Sequence, residues 1–196
     1  MTSKRIKVEE LYRAKWVAMN RITFLDPNKR EVVWEAVDRT TRVSDVDGVD
    51  IIAIIGNGTD NRRIVLTIQY RPPVDSLVIE FPAGLLDKGE TPEQAALREL
   101  HEETGYTCDS VNTVSSILTL EPGMSSANTK YCIVNVDGEK NKEPKQKLEE
   151  DEFIEVLILP LDNLMRSLEE LRVKYNCLIS SQVYSLALGL SLASPK

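Results

Sequence analysis

Cysteine and histidine are scarce in this sequence, which has three cysteines and one histidine among 196 residues. Cys108, Cys132 and Cys177 are widely spaced and form no CxxC pair. They predict free or buried thiols in a reducing compartment and argue against a disulfide framework or a cysteine-based zinc site. The single histidine, His101, is predicted to be an exposed bystander, which argues against a Ser-His-Asp triad.

Long apolar runs and an excess of basic residues are also missing. No apolar segment approaches the ~20 residues of a membrane-spanning helix, and residues 1–10, MTSKRIKVEE, lack the apolar core of a signal peptide. The formal net charge of −7 argues against general nucleic-acid binding, which needs a basic surface. We therefore expect a cytoplasmic protein, with the nucleus as a second location, that binds neither nucleic acid nor membrane.

What the sequence does contain is a dense acidic stretch at residues 84–106, GLLDKGETPEQAALRELHEETGY. Thr91-Pro92-Glu93 is typical of a helix start, with a hydroxyl cap, proline at the first helical position and an acid in the first turn. Gly105 is typical of a helix end. Ala96 and Leu100 lie one turn apart, so we expect a helix here that packs this stripe inward.

Three carboxylates share one face of this predicted helix. Glu99 lies three residues before Glu102 and four before Glu103, so the side chains are neighbours that repel one another. The stretch could be an ordinary solvated helix face. A divalent cation would instead convert the repulsion into attraction, since hard ions such as Mg²⁺ prefer carboxylate oxygens and accompany phosphate-bearing substrates. Arg98 is placed to orient a carboxylate by paired hydrogen bonds.

The spacing of these residues resembles the Nudix box, G-x5-E-x7-R-E-U-x-E-E-x-G-U, in which U is bulky and apolar. Nine constrained positions within 23 residues make a chance match rare. The last position holds an aromatic residue where an aliphatic one is more usual. The matching residues are Gly84, Glu90, Arg98, Glu99, Leu100, Glu102, Glu103, Gly105 and Tyr106.

The resemblance implies an α/β/α sandwich hydrolase that cleaves a nucleoside diphosphate linked to another moiety, with Mg²⁺ or, in its place, Mn²⁺. It also implies that Glu103 acts in catalysis by holding metal and that Arg98 orients the glutamates, while Glu90 supports the loop before the helix. The implied metal ligands are the backbone carbonyl of Ala83 and the side chains of Glu99, Glu102 and Glu103.

The rest of the chain predicts an α/β fold with a mixed sheet and helices on its faces. Residues 16–25 and 30–40 read as a β-hairpin, and residues 137–152 as a charged loop. We expect an N-terminal antiparallel β region at 1–45, then a hydrolase domain at 46–196. Further strands are predicted at 51–55, 64–70, 77–81, 114–120, 130–136 and 153–159, with a turn at 57–60 and two leucine-striped helices after 160.

Residues outside the box resemble the ADP-ribose pyrophosphatase branch of the family. Pro122 lies sixteen residues beyond Tyr106, and Arg71-Pro72-Pro73 and residues 80–84, EFPAG, also resemble that branch. Markers of the NADH-cleaving and coenzyme A branches are absent. The implied reaction is water attack on the diphosphate bridge of ADP-ribose, giving AMP and ribose 5-phosphate.

In the ADP-sugar pyrophosphatases of this branch, the N-terminal β region mediates dimerisation and two tryptophans, one from each subunit, sandwich the adenine. The resemblance assigns this role to Trp16 and Trp34, and it implies a homodimer. Without it, two tryptophans in a hairpin predict only core or interface packing. Arg39 and Arg71 would hold phosphate or ribose oxygens, although surface ion pairs are an alternative.

The remaining implied positions belong to the pocket and to proton transfer. Glu80 would contact substrate or metal-bound water, and Leu120 and Glu121 would line the pocket wall. Glu152 would help to remove the proton of the attacking water, although residues 149–151, EED, are acidic neighbours that blur the choice. Two rivals stay open: a Nudix hydrolase of another substrate, such as an oxidised nucleoside diphosphate, and a nucleotide sensor without catalysis.

Overall fold

The N-terminal β region is a three-stranded antiparallel sheet in order β1 (Lys4–Arg13), β2 (Val17–Leu25) and β3 (Glu31–Arg39). The computed structural model describes residues 2–56 and 61–193, so the turn predicted at 57–60 lies outside the described residues. The β2–β3 hairpin was predicted and is confirmed. Its turn is held by the Asp26 side chain, which accepts from the backbone N–H groups of Asn28 and Arg30 at 2.8 and 2.9 Å.

A larger mixed sheet follows, in which the described residues form nine strands. Its central order is β12-β6-β5-β4-β10-β8, with β11 on β5, β7 on β4 and β9 on β10. The β4–β10 and β6–β12 pairs are parallel and the others antiparallel. The strands are β4 (Gly48–Ile55), β5 (Arg63–Arg71), β6 (Ser76–Glu80), β7 (Ala83–Leu85), β8 (Thr113–Val114), β9 (Leu118–Thr119), β10 (Asn128–Val136), β11 (Ile154–Pro160) and β12 (Leu178–Ile179).

One predicted strand is interrupted. Residues 114–120 form two short strands, β8 and β9, that pair with different parts of β10. Between them, the hydroxyl of Ser115 accepts from the backbone N–H of Tyr131 at 2.9 Å, so a side chain replaces a ladder hydrogen bond. The alternation of apolar and polar residues in the sequence does not reveal that a side chain takes the place of a backbone acceptor.

Helices cover both faces of the larger sheet, as expected for the predicted sandwich. On one face lies α1 (Pro92–Thr104), and on the other lie α2 (Leu164–Tyr175) and α3 (Ser181–Ala193). The predicted inward stripe of α1 is fully buried at Ala96 and Leu100. Among the described residues, no helix is both long and apolar enough to cross a bilayer.

The charged loop at 137–152 is fastened to the C-terminal end of α1. Gly105 has φ of 75°, and a Cβ atom there would overlap the backbone of Lys145. The backbone N–H of Lys147 donates to the Glu102 carbonyl at 2.8 Å, and the Gln146 amide donates to the Glu103 carbonyl at 2.6 Å. The charged loop was predicted without any contact to the helix, and these contacts with α1 fix its path beside it.

Candidate active site

The helix that carries the acidic face begins and ends where the sequence predicts. The Thr91 hydroxyl accepts from the backbone N–H of Gln94, and the Gln94 side chain accepts from the backbone N–H of Thr91, which completes a capping box. Gly105 closes the helix in the left-handed conformation, donating its N–H to His101 O. The His101 side chain is exposed, as predicted.

Arg98 is the hub of the site, with five hydrogen bonds. Its Nε and Nη2 donate to the two carboxylate oxygens of Glu90 at 2.9 and 2.8 Å. Its Nη1 donates to Glu99 at 2.6 Å and to Glu102 at 3.2 Å, and Nη2 also reaches the Leu85 carbonyl at 3.0 Å. These carboxylates raise the pKa of Arg98, so the guanidinium stays charged and fixes three glutamates relative to one another.

Glu103 stands apart from this hub and is buried, with 4% of its surface exposed. One carboxylate oxygen accepts from the backbone N–H of Ala83 at 3.0 Å. Burial raises the pKa of Glu103 to about 8, and the charges of Glu99 and Glu152 raise it as well. The site therefore holds a carboxylate whose charge is poorly compensated.

Two glycines let the backbone approach the acids closely. A Cβ atom on Gly84 would overlap the carboxylate of Glu99, so glycine is needed for that side chain to lie against β7. A Cβ atom on Gly48 of β4 would stand 2.5 Å from the Gly84 carbonyl oxygen. The close β4–β7 pairing thus sets the surface on which the carboxylates rest.

The donor set suits a hard divalent cation. Arg98 holds Glu99 and Glu102, and within residues 2–56 and 61–193 no three acidic, histidine or cysteine side chains converge as a preformed ligand set. Burial nevertheless raises the pKa of Glu99 as it does that of Glu103, so negative charge is disfavoured at both positions. A bound cation would relieve that penalty, and carboxylate oxygens are the ligands that Mg²⁺ prefers. The residues present fit such an ion.

A cleft of about 380 Å³ opens beside these carboxylates. It brings together five residues predicted for substrate or metal binding: Arg39, Arg71, Glu80, Ala83 and Leu120. Within it, the Arg71 guanidinium donates to Glu80 at 2.7 Å, so the ion pair considered as an alternative for Arg71 exists, but inside the cleft.

The two tryptophans and Glu121 do not line this cleft within one chain. Trp16 and Trp34 are 60% and 50% exposed. Trp16 lies opposite Thr40, whose backbone N–H donates to the Trp16 carbonyl at one end of the β2–β3 ladder. Trp34 lies six residues before Thr40, so the backbones of the two tryptophans are roughly 20 Å apart. Rings that sandwich one base must stand roughly 7 Å apart. Because the Trp34 indole is also held on Gly123, this separation disfavours placing both indoles of one chain on the same adenine.

Trp34 is instead coupled to the loop between β9 and β10, residues 120–127. Its indole N–H donates to the Gly123 carbonyl at 3.0 Å. Nearby, the backbone N–H of Val37 donates to the Met124 carbonyl at 2.9 Å, and Arg42 donates to the Ser126 carbonyl at 2.7 Å. These hydrogen bonds hold the loop against β3 and the residues that follow it.

Glu152 lies close enough for its charge to be among the main influences that raise the pKa values of Glu99 and Glu103. Its own carboxylate accepts from the backbone N–H of Glu149 at 2.9 Å, which fixes the end of the loop. The resemblance selected Glu152 among the acids of this loop, and in the structure Glu152 lies beside Leu148 and Phe153, outside the residues that line the cleft.

Sequence reasoning missed several residues of the cleft, among them Asp50, Thr129 and Gln182. For Asp50 the sequence did contain a signal, because this acid interrupts the apolar run of β4, VDIIAII. A charged side chain is costly to bury in a strand, so its presence there indicates a functional position. Thr129 and Gln182 belong to segments far apart in sequence, and only the fold brings them to this cleft.

The buried Glu103 predicts a pH-dependent stability of the metal-free protein. Its pKa is about 8 in the folded state against an ordinary 4.5, so the folded state retains a proton that the unfolded state releases. The free energy of unfolding should therefore fall as the pH rises from about 4.5 to about 8. Urea unfolding in the presence of a chelator should show this fall in the wild type and a smaller one in Glu103→Gln. Identical pH profiles would contradict the assignment.

Comparisons with known proteins agree with this geometry. Residues 46–179 match the family model of the NUDIX domain. An ADP-sugar pyrophosphatase of Mus musculus is 36% identical over 96% of this chain and 87% of its own length. An ADP-ribose pyrophosphatase of Saccharomyces cerevisiae is 36% identical over 95% of this chain and 81% of its own. The crystal structure of an ADP compounds hydrolase has the same fold, with a TM-score of 0.68 and 21% identity over 98% of this chain and 93% of that one.

Proposed function

Because the chain belongs to the Nudix hydrolase family, we propose that it hydrolyses the diphosphate bond of ADP-ribose and related ADP-sugars, giving AMP and the sugar phosphate. The observation that carries this proposal is the Arg98 hub with the buried Glu103, placed beside a cleft that contains Arg39 and Arg71. Planar guanidinium groups bind phosphate oxygens well, and the cleft volume lies within the range of small-molecule sites.

We assign the metal site to the Ala83 carbonyl and to Glu99, Glu102 and Glu103, with Mg²⁺ as the ion and Mn²⁺ as its substitute. When bound, the ion would neutralise charge that develops on the diphosphate and lower the pKa of the attacking water. Arg98 keeps two of the ligand carboxylates in fixed orientation, so we place it as a positioning residue.

The remaining chemistry falls to residues of the cleft and the acidic loop. Glu152 is the proposed acceptor of the proton from the attacking water, since its charge contributes to the raised pKa values of both Glu99 and Glu103. Arg71 and Arg39 are proposed to hold phosphate oxygens, with Glu80 orienting Arg71 through their ion pair and contacting substrate or bound water.

We further propose that two chains share each adenine pocket. The separation of roughly 20 Å between Trp16 and Trp34, measured along the β2–β3 ladder, favours a sandwich in which one indole comes from each of two copies. Residues 1–45 would then form the dimerising region and residues 46–196 the hydrolase domain. Leu120 and Glu121 would line the wall of the substrate cleft, from the loop that lies against β3.

An exposed apolar face on the N-terminal sheet supports this assembly and gives a prediction. Met19 and Val33 are 38% and 57% exposed on one face of the sheet. The double variant Met19→Asp, Val33→Asp should change a dimer into a monomer in sedimentation velocity and lower activity with it. Val173→Asp, at a 71% exposed position on α2, is the matched control and should stay dimeric. A wild-type monomer, or a double variant that stays dimeric, would contradict the proposal.

The decisive test of the activity is incubation with ADP-ribose and Mg²⁺ in ¹⁸O water, with and without chelator, followed by phosphorus NMR. We expect AMP and ribose 5-phosphate, with ¹⁸O in one product, and no turnover with chelator. Tight ADP-ribose binding without cleavage would indicate a sensor. A panel with a GDP-sugar and an oxidised nucleoside diphosphate would reveal a different Nudix substrate as a higher kcat/KM.

The thiols support a reducing location for this activity. Cys108, Cys132 and Cys177 are all free in the structure. We therefore propose the cytoplasm, with the nucleus as a second compartment, and fractionation of cells that produce a tagged protein would test it.

A further inference from the structure

A second cavity of about 470 Å³ lies next to the cleft, on the sheet face covered by α3. We call it the α3 chamber. The two spaces share Leu120, Thr129 and Gln182 as lining residues, so they adjoin one another. Ala83 and Gly84, next to the carboxylate site, line the cleft but not the chamber.

Among the described residues that line the chamber, none is charged. Its aromatic wall is the edge-to-face pair of Phe81 and Tyr131, whose ring centroids are 6.0 Å apart. Its polar groups include the hydroxyls of Tyr131 and Ser185 and the amide of Gln182. Within residues 2–56 and 61–193 these two hydroxyls have no hydrogen-bond partner. In the same residues, the side chain of Gln182 makes one hydrogen bond, in which its oxygen accepts from the Ser181 hydroxyl at 3.3 Å.

The uncharged lining of the α3 chamber favours a neutral ligand over a phosphate group. A phosphate group would need cationic side chains, which the chamber does not offer within the described residues. A neutral sugar presents several hydroxyl groups, which suit unpaired hydroxyl and amide groups, and apolar C–H edges, which suit aromatic and aliphatic walls. The chamber therefore fits a polyol better than an anion.

Asp50 stands in the cleft beside Thr129, one of the residues at the junction of the two spaces. One of its carboxylate oxygens accepts from the Thr129 hydroxyl at 2.6 Å, and the other has no donor among the described residues. An ionised carboxylate can accept about four hydrogen bonds, so Asp50 has capacity left for substrate hydroxyls.

We propose that the α3 chamber binds the sugar that lies beyond the second phosphate, with Asp50 accepting hydrogen bonds from its hydroxyls and Gln182 contacting it from α3. The proposal rests on the proposed function and deepens it, because it names the residues that distinguish one ADP-sugar from another. The diphosphate itself stays between the arginines and the carboxylate site.

The test compares ADP-ribose with the methyl ester of ADP, which keeps the diphosphate ester but lacks the sugar. Asp50→Asn keeps an acceptor for Thr129 and removes the charge. We expect its kcat/KM to fall about ten- to hundredfold for ADP-ribose, the effect of losing a charged hydrogen bond, and to stay unchanged for the methyl ester. Equal losses on both would overturn the proposal, since Asp50 would then serve the diphosphate or the metal. No loss on either would overturn it as well.

A second variant tests the chamber without touching Asp50. Ser185→Phe places a ring into the space and should raise KM for ADP-ribose, and more strongly for the larger ADP-glucose, with no change for the methyl ester. Ser191→Phe is the same substitution on the same helix, outside the chamber, and should behave as wild type. If Ser185→Phe also leaves all three substrates unaffected, the sugar binds elsewhere. Wild-type protein inert toward both ADP-ribose and the methyl ester would instead overturn the proposed function, and this inference with it.

Discussion

Glu103→Gln is expected to lower kcat for ADP-ribose by about three orders of magnitude, the scale of the several kcal/mol that metal-assisted charge stabilisation supplies. The substitution removes the negative charge but keeps an amide oxygen that can accept from the backbone N–H of Ala83. The side chain is buried and nearly isosteric, so the fold should be retained. Steady-state kinetics with saturating Mg²⁺, together with circular dichroism, measure both effects.

Glu93→Gln is the matched control. Glu93 lies in the first turn of the same helix and is exposed, so the same chemical change there should leave kcat unchanged. Near-normal turnover in Glu103→Gln, or an equal loss in both variants, would overturn the assignment of Glu103 to the metal site.

Two glycine substitutions should separate activity from stability. In Gly84→Ala the new Cβ displaces the carboxylate of Glu99, which is the movable end of a side chain, so stability should change little. Displacement of a proposed ligand by about 1 Å is expected to lower kcat/KM by about a hundredfold. In Gly48→Ala the new Cβ meets the backbone carbonyl of Gly84 at 2.5 Å, which cannot yield easily, and the expected loss of stability is about 1–3 kcal/mol.

Urea unfolding and ADP-ribose kinetics on both variants measure this contrast. A Gly84→Ala protein with full activity would show that Glu99 need not lie against β7. A Gly48→Ala protein as stable as wild type would show that the β4–β7 pair can separate without cost.

The sequence predicted the features that depend on neighbours along the chain. Thr91 and Gly105 bound α1 because capping and the left-handed closing residue are local properties, and the box fixed which carboxylates share a face. The mixed sheet with helices on both faces also followed from alternating apolar runs. The strand β1 was missed, because all of its residues are exposed and its pattern is broken by two register shifts.

The features that depend on distant contacts were not predictable in the same way. Asp50 enters the cleft only because β4 lies beside β7 and β10 in the folded sheet. The path of the acidic loop beside α1 is likewise set by contacts with Gly105 and with the carbonyls at the end of the helix, which are distant in sequence. The proposed adenine sandwich would bring Trp16 and Trp34 from two copies together, so it depends on contacts between chains rather than on neighbours along one chain.

The loop at 120–127 connects the proposed sugar site with the residue that supports Trp34. One of its ends, Leu120, borders the α3 chamber, while Gly123 accepts the indole N–H of Trp34. A bulkier sugar that pushes on Leu120 therefore also strains the support of the Trp34 indole, which rests on the same loop three residues further on. Base and sugar preferences are then thermodynamically coupled, and a double-mutant cycle between Trp34 and Ser185 should show non-additive free energies.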